Sequence, residues 1–270
     1  MAQSQTTASE AQSKGVVLIT TQTTSGAAAG SGMVLSSDGY VLTNYHVVET
    51  STQITATVAS TNKQYNATVV GRDATNDVAL LKLDGASGLD TVTIDSDTVN
   101  TGDQVTAVGN SSGQGYLSAA TGQVVSTSSS ITVQNETSAS QTETLTNVYE
   151  TSTQAVPGDS GGPMFDAENE VMGITTAGET QTNSRTGQSS TVSSYAIPIA
   201  RAMSIVKQIE SGQSSGTVQV GPKAYLGVTV QASQSGSVTI SQVVSDGPAA
   251  AAGLSVGQVI TAVDGTRIDS

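Results

Sequence analysis

The chain has 270 residues, 36 % hydrophobic, 3 % aromatic and 11 % charged, with a formal net charge of −13. That charge argues against a nucleic-acid partner, because phosphate binding needs clustered Lys and Arg. The absence of cysteine excludes disulfides and thiol chemistry, and one His without Cys removes the usual zinc sites, so no metal and no cofactor are expected.

The length suffices for one large domain and a smaller unit. With few aromatics, the core must come from Val, Ile, Leu and Ala, which favours strands. Residues 1–14 are polar and expected to fray. The start, Met1-Ala2-Gln3-Ser4, has neither the basic segment nor the apolar run of a signal peptide, and no apolar run is long enough to span a bilayer. From Gly15 onward, short β-type runs alternate with turns. Residues 16–20 and 32–35 come first, then the turn Ser36-Ser37-Asp38-Gly39, then 40–43, which together predict a hairpin with Asp-Gly at its tip. Further runs lie at 54–58, 65–70, 78–83, 104–108, 122–125, 131–133 and 171–175. Many short strands at this spacing suggest a barrel or a sandwich. A helix is predicted over 197–209, where Ile197, Arg201, Ile205 and Ile209 recur every four residues and Pro198 suits the first turn. The stretch after it, Glu210-Ser211-Gly212-Gln213-Ser214-Ser215-Gly216, has linker composition. The expected organisation is therefore a flexible segment at 1–14, a main domain at 15–210, a linker at 211–222 and a second unit at 223–270.

A serine hydroxyl is a poor nucleophile at neutral pH. It needs a base to take its proton, a partner to orient that base, and backbone N–H groups aimed at the developing oxyanion. Ser160 in Gly158-Asp159-Ser160-Gly161-Gly162 suits this role, since glycines permit the backbone angles and the close approach such a turn requires. The N–H groups of Gly158 and Ser160 are the expected oxyanion hole. In a chain rich in Gly and Ser this turn alone competes with an ordinary loop. His46, in Thr43-Asn44-Tyr45-His46-Val47-Val48, shifts the balance because it is the chain's single imidazole. Asp77, in Thr75-Asn76-Asp77-Val78-Ala79-Leu80-Leu81, is the third candidate; its bland alternative is a polar residue at a strand entry. The order His, Asp, Ser is that of chymotrypsin-type enzymes.

On these residues the chain resembles the HtrA (Deg) group of trypsin-like serine proteases. The matching segments are Gly30-Ser31-Gly32-Met33, the run from Gly39 to Val48, Asn76-Asp77-Val78-Ala79-Leu80-Leu81, Pro157-Gly158-Asp159-Ser160-Gly161-Gly162-Pro163 and Val171-Met172-Gly173-Ile174-Thr175-Thr176-Ala177. The resemblance implies an all-β fold of two six-stranded barrels with a C-terminal helix. It implies His46 as general base, Asp77 as its orienter and Ser160 as nucleophile in an endopeptidase acting through an acyl-enzyme. One departure is Asp159, where the group usually has Asn. In digestive relatives an Asp there pairs with an ammonium freed by zymogen cleavage; activation without cleavage is expected here, which leaves Asp159 without an assigned partner.

By alignment to the motif, Gln154, Ala155, Thr176, Ala177 and Gly178 line the substrate pocket. With no carboxylate at 154, a buried Arg or Lys side chain would stay unpaired, so cleavage is expected after small or medium uncharged residues. The segment Ala224-Tyr225-Leu226-Gly227-Val228, continued by Ser245-Asp246-Gly247-Pro248 and Val263-Asp264-Gly265, resembles the start of a PDZ domain. Tyr225, Leu226, Gly227 and Val228 are the implied carboxylate loop. The groove helix and last strands are expected beyond Ser270, so this unit reads as partial. The resemblance implies unfolded or damaged proteins as substrates, an outward-facing location, a parent chain that is secreted or membrane-tethered, and a homotrimer, although residues 1–15 lack the aromatic contacts HtrA trimers use. Two other readings stay open: a chaperone-like binder of unfolded chains, and a secreted processing protease of the same fold.

Overall fold

The computed structural model describes residues 5–23, 26–135, 138–182, 189–221, 226–232, 237–245 and 247–268. Two compact units divide at Pro222 and Lys223.

The first unit opens with β1 (Thr6–Thr7) and a one-turn helix, α1 (Glu10–Ser13), capped by a Ser9–Gln12 capping box. Of the segment expected to fray, residues 6 and 7 pair with a later strand at Ala119 and Ser118. Then follow β2 (Val16–Thr23), β3 (Gly26–Val34), β4 (Tyr40–Thr43), the short helix α2 (Tyr45–Val48), β5 (Gln53–Val58), β6 (Lys63–Asp73) and β7 (Val78–Leu83). These six strands pair in the order β6-β5-β2-β3-β4-β7, and β7 returns to β6, closing a barrel.

The next six are β8 (Gln104–Gly109), β9 (Ser118–Asn135), β10 (Ser138–Thr151), β11 (Pro163–Phe165), β12 (Val171–Thr182) and β13 (Ser189–Pro198). They run β9-β10-β13-β12-β11-β8, and β8 pairs back onto β9, closing a second barrel. The two-barrel, all-β expectation is met. The runs expected at 122–125 and 131–133 are parts of one long strand, β9. Residues 197 and 198, expected in the helix, end β13, because Ile197 and Pro198 pair with Ile174 and Gly173.

The helix itself, α3 (Ile199–Glu210), buries Ile199, Ala202, Ile205, Val206 and Ile209. It packs on β6, β7, β12 and β13, and so touches both barrels. Beyond it, β14 (Val218–Val220) lies inside the stretch expected to be linker and pairs with β6 at Gly71–Asp73. Its register is held by side chains: Arg72 donates to Gln219 Oε1 at 2.6 Å and to the Gly221 carbonyl at 3.2 Å.

Alternation along the strands divides the core, since successive side chains point to opposite faces. Val17 and Ile19 of β2, with Ala79, Leu81 and Leu83 of β7, fill the first barrel. Val16, Leu18, Val78 and Leu80 face the other way and join Val108, Leu117, Phe165, Ile174 and the α3 residues in one shared cluster. The relation between the barrels is therefore set by a continuous apolar layer.

The second unit has a three-stranded antiparallel sheet, β15 (Val228–Ala232), β16 (Val238–Val243) and β17 (Val259–Ile260), with β15 at one edge. A short helix, α4 (Pro248–Ala251), precedes β17, and β18 (Ala262–Val263) with β19 (Thr266–Arg267) forms a small hairpin. Among its described residues, Val238, Ile240 and Ala249 are the buried apolar ones.

Candidate active site

β4 delivers the chain into α2, which carries His46 in its first turn. Asn44, fully buried before α2, donates from Nδ2 to the Asp77 carbonyl at 2.9 Å. That bond fixes Asp77 at the mouth of β7, where it holds a left-handed φ of 52°, a conformation Asp tolerates better than most residues. The Asp77 side chain is 6 % exposed and that of His46 32 %.

Three donors converge on the Asp77 carboxylate. His46 Nδ1 lies 2.8 Å from Oδ2, the His46 N–H donates to Oδ1 at 2.9 Å, and Thr176 Oγ1 donates to Oδ2 at 2.6 Å. With Nδ1 protonated and bound to Asp77, Nε2 carries the lone pair and can act as a base. Thr176 belongs to β12 of the second barrel, so Asp77 is held from both barrels.

Ser160 lies on the turn before β11. Its Oγ is 3.4 Å from the Thr176 carbonyl, a long and weak contact that leaves the hydroxyl free to reorient. The backbone around it is fixed at each step. The Pro157 carbonyl accepts from Ser112 N at 2.6 Å and the Asp159 carbonyl from Gly162 N at 3.0 Å. In a trans peptide the C=O and the following N–H point opposite ways, so these two bonds turn the N–H groups of Gly158 and Ser160 away from Ser112 and Gly162. Neither donates to a described residue. Between them, the Gly158 carbonyl accepts from Ser31 Oγ at 2.8 Å. Gly158 has φ 97°, and a Cβ there would lie 2.3 Å from the Asn110 carbonyl oxygen, so no side chain fits. Gly161, at φ 83°, is closed in the same way by the Ser31 carbonyl and Thr43 Oγ1.

Of the expected pocket residues, Ala155 is buried and Gln154 half-buried. The buried Thr176 turns its hydroxyl to Asp77, and its carbonyl accepts from Ser160 Oγ. Gly178 is exposed, and the side chain of Ala177 lies outside the described residues, as does Tyr225. In the second unit the Leu226 carbonyl accepts from Ala249 N at 2.8 Å and the Gly227 carbonyl from Val244 N at 2.9 Å, with Gly227 at φ 77° and Val228 opening β15.

Two features were not legible beforehand. A cavity of about 290 Å³ lies between Ala27–Ala29 of β3 and Asn110, Gly113 and Gly115 after β8. Asn110 contacts Gly158, so this cavity adjoins the turn that carries Ser160. Asp159, 3 % exposed, has partners after all: Ser111 Oγ lies 2.7 Å from Oδ1, and Val156 N donates to Oδ2 at 2.9 Å. Burial pushes its carboxyl above the usual carboxylate range. Away from the site, Asp95, Asp166 and Glu170 bring carboxylate oxygens within 4.8 Å of one another, but two of the acceptances at Asp166 Oδ1 come from the local Glu168 and Glu170 N–H groups.

The trypsin-like peptidase domain family matches residues 30–174, and the PDZ domain family matches residues 216–270. A probable periplasmic serine endoprotease DegP-like of Pseudomonas fulva (strain 12-X) is 34 % identical over 251 residues, covering 88 % of this chain and 48 % of that protein. Its counterpart in Pseudomonas putida (strain W619) is 36 % identical over 251 residues, with the same two coverages. The chain thus spans about half the length of the curated relatives it matches. Among solved structures, the HtrA-type protease AlgW with tripeptide superposes with TM-score 0.61 at 29 % identity, over 96 % of this chain and 82 % of that one. The serine endoprotease from Yersinia pestis gives TM-score 0.61 at 27 % identity, over 96 % and 82 %.

Proposed function

Because the chain belongs to the trypsin-like peptidases, in their HtrA-type branch that joins the protease domain to a PDZ domain, we propose that it is a serine endopeptidase with His46, Asp77 and Ser160 as its triad. The observation that carries this reading is the buried Asp77 carboxylate, bonded at once to the Nδ1 and the backbone N–H of His46. In the first step Ser160 Oγ leaves the Thr176 carbonyl and attacks the scissile carbonyl, while His46 Nε2 takes its proton. Asp77 stabilises the imidazolium that forms and holds its tautomer. The oxyanion is met by the N–H groups of Gly158 and Ser160. The imidazolium then protonates the leaving amine, and water hydrolyses the acyl-Ser160 ester by the same route in reverse.

Gln154, Ala155 and Gly178 bring no charge to the pocket, which supports cleavage after Ala, Val or Leu, since a charged side chain would be desolvated without a partner. Unfolded or damaged proteins are the substrates: an extended chain presents its backbone to such a cleft, and a folded surface does not. The names of the relatives support an extracytoplasmic location, and among the described residues no helix is long and apolar enough to cross a membrane. A trimer is the assembly that membership in the branch suggests, and light scattering reads it directly.

The test is casein hydrolysis by the chain and by Ser160→Ala, with cleavage sites mapped by mass spectrometry. The variant should lose about 10⁴-fold or more of the rate, and an activated phosphonate, which phosphonylates reactive serines with loss of its leaving group, should label Ser160 alone. Equal rates for the two proteins, or a site profile dominated by Arg or Glu, would sink the respective half of this reading.

A further inference from the structure

Asp159 stands next to the nucleophile, buried, and none of the ion pairs among the described residues includes it. Its carboxyl ends a chain of oxygens that leads to the N-terminal segment. Oδ1 is 2.7 Å from Ser111 Oγ, Ser111 Oγ meets Ser118 Oγ, and Ser118 Oγ is 3.3 Å from Gln5 Oε1. Gln5 closes the ring, its Nε2 lying 3.5 Å from Asp159 Oδ2 and 3.0 Å from the Gln154 carbonyl. Gln114 Nε2 also donates to Ser118 at 3.2 Å.

Each of the three oxygen–oxygen contacts needs one proton. Ser111 and Ser118 supply two. An ionised Asp159 and the Gln5 carbonyl oxygen supply none, which would leave one buried pair of lone pairs facing each other. One proton on Asp159 completes the count: Asp159 donates to Ser111, Ser111 to Ser118, and Ser118 to Gln5. Oδ2 then accepts from Val156 N and Gln5 Nε2.

We propose that Asp159 is a neutral positioning residue, which carries a proton and fastens the N-terminal segment, through Ser111, Ser118 and Gln5, to the turn that presents Ser160. Gln5 directly precedes β1, whose pairing with β9 includes Ser118 itself, so the segment is held by backbone and side chains together. The fit around Asp159 is tight, since a Cβ on Gly109 would lie 2.6 Å from its Cα. Among the described residues, the groups facing its carboxyl are Gln5 from the N-terminal segment, Gly109 and Ser111 from β8 and its loop, and Val156 from its own turn, none of them titratable. Burial acts in the same direction as the proton count, holding the acid above its usual range. The consequence for catalysis rests on the endopeptidase reading; the proton assignment does not.

Linkage gives the sign. A carboxyl whose folded-state pKa is raised adds stability at low pH, and that contribution is lost as pH rises through the folded value. Asp159→Asn reproduces the neutral acid, with Nδ2 donating to Ser111 and its oxygen accepting from Val156. Infrared titration of the unmodified protein should show a carboxylic acid C=O band persisting at about pH 6, above the usual carboxylate range. That band should be missing in Asp159→Asn, and its absence from the unmodified protein overturns the proposal without recourse to any variant. The melting temperature of the chain should fall more steeply from about pH 5 to about pH 8 than that of Asp159→Asn; equal slopes overturn the assignment. Gln5→Ala should slow phosphonate labelling of Ser160 at least about threefold, and an unchanged rate overturns the fastening. If the band is present and Ser160 is never labelled, the endopeptidase reading fails while the protonated Asp159 stands.

Discussion

Thr176 shows how much one hydroxyl can carry. It bonds Asp77 from the opposite barrel at 2.6 Å, so it orients the acid that orients His46. Replacing it by Val removes a bond to a charged acceptor and leaves the Asp77 oxygen one donor short. Thr176→Val should lower kcat on a peptide substrate by about tenfold, or about 1.4 kcal/mol of barrel-to-barrel positioning, with KM nearly unchanged and little change in melting temperature. A fall in KM with kcat intact would contradict this role. His46, Asp77 and Ser160 could be proposed from the sequence because it holds one His in 270 residues, and the segments around that His narrowed the choice among many Asp and Ser. Asn44, Ser31, Ser111 and Thr176 were not, because each is one polar residue among many in a Ser- and Thr-rich chain. Their roles are created by contacts 12 to 127 residues away in sequence. Asp159 was legible as a misfit, and its partners were not, since Gln5 lies in a stretch whose composition says only that it is polar.

At the scale of elements, the strands that could be read were those with apolar alternation. β10 and β13 escaped because polar residues, Ser and Thr above all, interrupt any apolar alternation in them. β14 escaped for another reason: three residues after a Gly/Ser run give no periodic signal, and its place is fixed by Arg72 and Asp73 on β6, the latter accepting from Thr217 Oγ1 at 2.7 Å. Arg72 is 8 % exposed and holds both Gln219 and Gly221. Arg72→Ala should cost about 1–3 kcal/mol and lower the melting temperature by roughly 3–8 °C. It should also open residues 211–221 to added protease, since a strand of three pairs has little else to hold it. Unchanged protection of that segment would show that β14 is held by other means.

For the whole molecule, the two closed barrels were foreseen through the resemblance, and their mutual seating through one apolar cluster was not, because periodicity marks an apolar face without saying what covers it. The charge of −13 acts at this scale as well. A field of one sign concentrates oppositely charged chains and repels like ones. Two peptides with the same scissile residues, one flanked by distant Lys and the other by distant Glu, should differ several-fold in kcat/KM at low ionic strength, the Lys peptide being faster. The gap should close by about 0.5 M salt, where the screening length is only a few ångströms. A gap that persists at high salt would place the preference in local contacts.

The crossed attachment of the two ends of the first unit sets the order in which its parts can assemble. The earliest strand, β1, joins the later barrel, and the latest, β14, joins the earlier one. A chain leaving the ribosome at about 5–20 residues per second completes its first barrel while its N-terminal segment still lacks β9 to pair with. Gln5 can reach Asp159 only after residue 159 has been made, and α3 and β14 follow about 40 to 60 residues later. The contacts around the Ser160 turn are therefore completed late, after most of the first unit has emerged.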